Sequence, residues 1–136
     1  MTAEDAYRRI TGTVEVLYNG AWGTVCDNNW DLNDAHVVCR SLGYIAALQY
    51  KSSAYYGQGS GNVWLETQYC TGSESSIADC TNTQGWGNNL CSHNEDAGVI
   101  CATGMMFITI QNHSLNLYET NYLIYHNSKD FCYLNR

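Results

Sequence analysis

Apolar and polar positions alternate at Val14-Glu15-Val16-Leu17-Tyr18, the two-residue period of a half-buried strand. Asn19-Gly20 follows, a strong two-residue hairpin signal, and Ala21-Trp22-Gly23-Thr24-Val25-Cys26 returns as the second strand. The period then lengthens. Leu32, Ala35, Val38, Cys39 and Leu42 recur at helical spacing behind Asp31, a side chain suited to cap a helix start, with Asp34 as an imperfect capping-box partner. Gly43 supplies the stop, so the pattern predicts one helix over 32–42. Gly57 to Gly61 reads as a loop, Asn62-Val63-Trp64-Leu65 as a short buried strand, and Ala97 to Cys101 as a closing strand. Between them lie a polar lobe, enclosed by Cys70 and Cys80, and a long Asn/Gly-rich loop over 81–94. From Gly104 the texture changes: 105–136 has no glycine and does not repeat the preceding spacing.

The cysteines turn this pattern into a class. Six of the seven fall between Cys26 and Cys101, separated by 12, 30, 9, 10 and 9 residues. Such gaps fit neither a C-x-x-C redox pair nor a zinc knot. An even set at wide spacing fits a disulfide framework, which persists in oxidising compartments. The setting is therefore extracellular, in a secreted protein or the ectodomain of a membrane protein. The start, Met1 to Asp5, lacks the basic and apolar regions of a secretion signal. A signal is expected outside this sequence. No run approaches the 18 apolar residues a membrane helix needs.

The ordered stretches resemble the scavenger receptor cysteine-rich (SRCR) family. They are Val14-Glu15-Val16-Leu17, Trp22-Gly23-Thr24-Val25-Cys26-Asp27, Asp34 to Gly43, Gly57 to Gly61, Trp64-Leu65, Cys70-x-Gly72-x-Glu74-Ser75-Ser76, Gly85-Trp86-Gly87 and Glu95-Asp96-Ala97-Gly98-Val99. The family's larger subgroup carries a further cysteine pair where Thr11 and Tyr44 stand here, so the resemblance is to the six-cysteine subgroup. It implies an α+β fold, a curved antiparallel β-sheet cradling one short α-helix. It also implies the pairs Cys26–Cys91, Cys39–Cys101 and Cys70–Cys80, a choice that spacing leaves open among 15. Cys132 is left free or linked between chains. The domain is expected over 8–103, between an N-terminal extension (1–7) and a flexible or loosely docked tail (104–136). Three departures stand out: the family's opening strand is mostly absent before Thr13, Ala78 replaces a tryptophan, and Leu90 replaces an asparagine.

Asp27, Asn28 and Glu95 match a cluster that binds calcium in many members of the family, and hard oxygen donors suit that ion. Asn28 stands where members commonly carry a second aspartate, so the site is one charge short. Glu66 matches an acidic ligand of a second calcium, although Leu90 offers no side-chain oxygen. Val14, Glu15, Val16, Leu17 and Trp22 reproduce a surface motif credited with bacterial binding in SRCR repeats, although ordinary hairpin packing is the stronger reading of the same residues. Asn112-His113-Ser114 is a glycosylation sequon.

Charge excludes other classes. A net charge of −7 argues against nucleic acid, whose phosphates call for a basic footprint. Over 8–101 the cations are Arg8, Arg9, Arg40 and Lys51 against nine acidic residues, so a basic steering face is absent and anion binding would run through a metal. No nucleophile elbow appears, and with the domain's cysteines all bridged no catalytic constellation remains. The reading is a non-catalytic recognition module for polyanionic, glycan or lipoprotein ligands or a host protein. Its rivals are an accessory domain of a serine protease or lysyl-oxidase-like enzyme, and a matrix or adhesion module.

Overall fold

The structure, a computed structural model, describes residues 9–66, 68–82, 84–87, 90–102 and 132–135. The N-terminal extension, Arg8, the Asn112 sequon and most of the tail lie outside the described residues. β1 (Arg9–Tyr18) and β2 (Ala21–Val25) form the expected hairpin, with Leu17 opposite Trp22 and Glu15 opposite Thr24. Asn19 and Gly20 both take positive φ (51° and 79°), as a turn matching the strand twist requires. Trp86 stacks on Tyr18 at 4.3 Å between centroids, and the Trp64 indole donates to the Ala21 carbonyl at 3.0 Å.

β1 starts well before Thr13, contrary to the expectation of a missing opening strand. Its first half, Arg9–Thr13, pairs antiparallel with β7 (Gly98–Ala102). Arg9-Ile10-Thr11-Gly12 carries one large apolar residue, so backbone pairing rather than its own pattern sets its conformation. β3 (Ala46–Lys51), absent from the sequence reading, pairs with the other side of β7, and β4 (Asn62–Leu65) runs parallel to β2. β5 (Gln68–Tyr69) and β6 (Thr81–Asn82) form a separate ribbon. The last strand, β8 (Cys132–Asn135), lies within the tail and pairs antiparallel with Thr13–Val16. Of the tail, expected to be flexible or loosely docked, these four residues are the part the structure describes.

α1 (Leu32–Ser41) begins in a reciprocal capping box: the Asp31 side chain accepts from the Asp34 N–H, and Asp34 Oδ2 accepts from the Asp31 N–H at 2.9 Å. Ala35, Val37, Val38 and Cys39 face the core with Val14, Val25, Leu65 and Val99. His36 is half-buried, and its Nδ1 accepts the Ala47 N–H at 3.0 Å. The helix also holds the polar lobe. Asp34 Oδ1 accepts the Cys70 N–H at 3.0 Å, while the Arg40 guanidinium donates to the carbonyls of Gly72 and Glu74. Within the lobe, backbone N–H groups of Thr71 and Gly72 converge on the Glu74 carboxylate and hold its pKa down at about 2. Disulfides Cys39–Cys101, Cys26–Cys91 and Cys70–Cys80 fasten helix to sheet, sheet to loop, and lobe to itself.

Two predictions follow from this packing. A Cβ on Gly23 would collide with the Asn62 carbonyl and the Trp64 ring, exactly where β2 meets β4. Gly23→Ala is expected to destabilise by about 1–3 kcal/mol, the usual cost of overpacking, measured by thermal or denaturant unfolding. Burial pushes the Asp34 carboxyl up from 3.8 to about 7, against the backbone N–H donors of Asp31 and Cys70 that pull it down. The folded state then holds a proton that the unfolded chain has released, so stability declines as pH rises from about 4 to about 7. An Asp34 carboxyl midpoint near 7 by NMR, and a flatter pH profile in Asp34→Asn, are the expected results.

Candidate functional site

Asp27 leaves the end of β2, where the chain turns away from the sheet. Its N–H donates to the Glu95 carbonyl at 2.7 Å, and the neighbouring Cys26–Cys91 bridge ties the same two segments covalently. The segments that carry Asp27, Asn28 and Glu95 therefore adjoin and form one ledge of backbone. Asp27 Oδ2 accepts the Ser53 N–H at 2.7 Å, and Glu95 Oε2 accepts the Ser92 N–H at 3.0 Å. Asn28 Nδ2 reaches Glu66 Oε1 at 3.3 Å and Cys91 Sγ at 3.5 Å, so Glu66 joins the rim of the same ledge. A Glu95 carboxylate oxygen lies within 4.8 Å of both bridge sulfurs. Those sulfurs are bonded to each other and are not ligands. Among the described residues, neither Asp27 nor Glu66 joins a group of three donors that tight. Leu90, beside Cys91, is 98% exposed.

Behind the ledge is a buried carboxylate. Asp96 is fully buried and accepts the Gly59 N–H at 2.7 Å through Oδ2. His93 Nδ1 lies 3.0 Å from the same oxygen, and its Nε2 lies 2.9 Å from the Gly61 carbonyl. A carbonyl and a carboxylate both accept, so these two partners favour a ring that donates from both nitrogens, the imidazolium. Burial pulls the His93 pKa down, but the Gly61 carbonyl and the Asp96 carboxylate outweigh it and the net shift is upward. Thr24 Oγ1 also sits 3.3 Å from Nδ1, which places hydroxyl, imidazole and carboxylate together. This is a clamp and not a nucleophilic triad: hydroxyl and carboxylate share one ring nitrogen, the other is tied to backbone, and Thr24 is fully buried. Sequence reasoning missed Thr24, Ser53 and Gly59 here. Ser53 and Gly59 act through backbone N–H groups, which no side-chain motif announces.

The hairpin motif divides between two faces. Val14 and Val16 lie in the core, Glu15 and Leu17 are half-buried, and Trp22 is 40% exposed. The described cations form no cluster: Arg40 is engaged with the lobe, and Lys51 Nζ sits over the Tyr55 ring at 4.4 Å.

The sequence profile of the scavenger receptor cysteine-rich domain matches residues 4–102. The chain belongs to that family. Mouse MARCO, in a dimeric form of its SRCR domain, superposes with a TM-score of 0.64 at 52% identity, over 69% of this chain and 88% of that one. The third SRCR domain of murine neurotrypsin gives 0.62 at 44% identity, over 67% and 84%. Among curated proteins, lysyl oxidase homolog 3A of Danio rerio is 54% identical over 90 residues, 66% of this chain. The chain spans only 12% of that relative's length. Three bridges from six cysteines fit the six-cysteine type of SRCR domain.

In this SRCR domain the His93 clamp holds the 57–61 loop against the ledge. His93→Ala removes two hydrogen bonds to a charged ring, each contributing about 1.5–3 kcal/mol where well formed. Partial exposure of the ring argues for the lower end of that range. The expected result is a lower melting temperature with new proteolytic cleavage confined to the 57–61 loop.

Proposed function

We propose that this SRCR domain is a non-catalytic extracellular recognition module that binds anionic ligands through calcium held at Asp27, Asn28 and Glu95. The observation that supports the reading is that a disulfide and a backbone hydrogen bond join the two segments that carry Asp27, Asn28 and Glu95. Each carboxylate has one oxygen engaged by a backbone N–H, which fixes its orientation and leaves the second oxygen for an ion. The donors are hard oxygens, the chemistry calcium selects, and water and ligand oxygens would complete a shell of six to eight. Glu66, linked to Asn28, is the acidic group nearest a second ion. Calcium supplies positive charge that this acidic domain lacks, and open positions on it can take sulfate, phosphate or carboxylate. Sulfated polymers, microbial glycans, lipoproteins and acidic host proteins are the ligand classes that fit.

A second reading concerns the parent protein. Similarity to lysyl oxidase homologs, of which this chain spans a small fraction, favours an accessory recognition domain within a larger secreted enzyme. The binding role is the same in both readings, and only the cargo differs.

Calcium titration followed by thermal melting tests the site. A ligand bound only by the folded state stabilises by about 2.7 kcal/mol at about 100 times its Kd. Wild type is expected to melt higher with calcium and little higher with magnesium, whose octahedral demand a loop-built site meets poorly. Asp27→Ala and Glu95→Ala are expected to lose the response, and Asn28→Asp to strengthen it. Binding to a sulfated polymer should disappear on chelation. An equal calcium response in wild type and both alanine variants would remove the assignment.

A further inference from the structure

β1 has a second edge. Thr13 pairs with both Gly98 and Asn135, Glu15 with both Thr24 and Tyr133, and Val16 with both Gly23 and Cys132. A strand residue has one neighbour on each side, so β8 lies on the side of β1 opposite to both β2 and β7. β2 and β7 therefore succeed one another along a single edge. The hand-over is visible where Ala97 N–H donates to the Val25 carbonyl at 2.8 Å, while Val14 N–H donates to the Ala97 carbonyl at 2.9 Å. Among the described residues, only β8 pairs with the other edge, and it covers four of the ten residues of β1.

That edge is a hazard when bare. Arg-Ile-Thr-Gly-Thr-Val-Glu-Val-Leu-Tyr is rich in β-branched residues, lacks proline and lysine, and is long for an edge strand. Two copies of β1 can pair antiparallel about a two-fold axis, and a register centred on Val14 sets Glu15 against Thr13 rather than against its own copy. We propose that Cys132–Asn135 is an intramolecular guard strand, and that the β1 edge it covers is a strand-addition surface for a second copy of this chain. Tethering favours the guard. A strand joined to its own domain acts at an effective concentration on the order of millimolar where the connection can span the sites, above that of another chain in dilute solution. Losing the guard, by cleavage within 103–131 or by displacement, would convert a monomer into a dimer joined through a continuous sheet.

The test uses the full chain. Of two successive strand residues, one points its N–H at the partner, so Tyr133→Pro with Leu134→Pro removes a ladder bond in either phase. Sedimentation velocity at micromolar concentration is expected to give a monomer for wild type and a concentration-dependent dimer for the double variant. Val16→Cys places a thiol opposite Cys132, and oxidation is expected to join them within one chain and keep the protein monomeric. Should Val16→Cys fold poorly, Glu15→Cys with Tyr133→Cys in a Cys132→Ser background makes the same measurement at the adjacent pair. A double proline variant that stays monomeric overturns the proposal. So does an engineered bridge that forms only between chains, or not at all.

Discussion

One buried carboxylate organises the loop side of this domain. Asp96 has no solvent to stabilise its charge, so its position is dictated by the donors it finds. They come from far apart in sequence: the His93 ring and the Gly59 N–H, while its own carbonyl accepts the Ala54 N–H. Cys26 pairs with it as an isolated bridge. The approach to β7, the 54–61 loop and the end of β2 thus meet around a single residue, through its side chain and its backbone. The candidate calcium ledge stands directly outside that knot and inherits its rigidity. A metal site built on loops needs such a backing, because loops alone do not hold ligands in place.

The two ends of the helix play a matching role for the lobe. Asp34 receives the first N–H of the lobe and Arg40 donates to carbonyls further along it. The Cys70–Cys80 lobe contributes Cys70, Ile77 and Cys80 to the core, and the residues between them are otherwise largely solvent-facing. Its attachment to the domain thus combines these buried anchors with hydrogen bonds from the Asp34 and Arg40 side chains to its backbone, and its surface residues answer to few packing constraints.

What could be read from the sequence follows from how local each element is. The hairpin carries its own turn in Asn19-Gly20 and its own alternation, and α1 carries its own cap and stop, so both are plain in the chain. β3 is not, because Ala-Ala-Leu-Gln-Tyr-Lys passes from a short apolar run to alternation within six residues, and a register shift falls between Ala47 and Gln49. The beginning of β1 and the whole of β8 owe their strand form to partners more than 80 residues away. The ledge is a mixed case: Asp27, Asn28 and Glu95 could be nominated by resemblance, whereas the backbone donors that orient them belong to Ser53 and Ser92, where no motif marks them.

The pairing of β1 with β7 also sets a timetable. Residues 9–13 can find 98–102 only after almost the whole domain has left the ribosome, and Cys26 and Cys39 wait equally long for Cys91 and Cys101. Until then the early cysteines are thiols without their proper partners, in an oxidising compartment that will bridge whatever lies near. Cys70 and Cys80, ten residues apart, can close first and at little entropic cost. The long-range bridges must form late, or be reshuffled, so a small domain of this kind depends on thiol isomerisation to reach its native pairing.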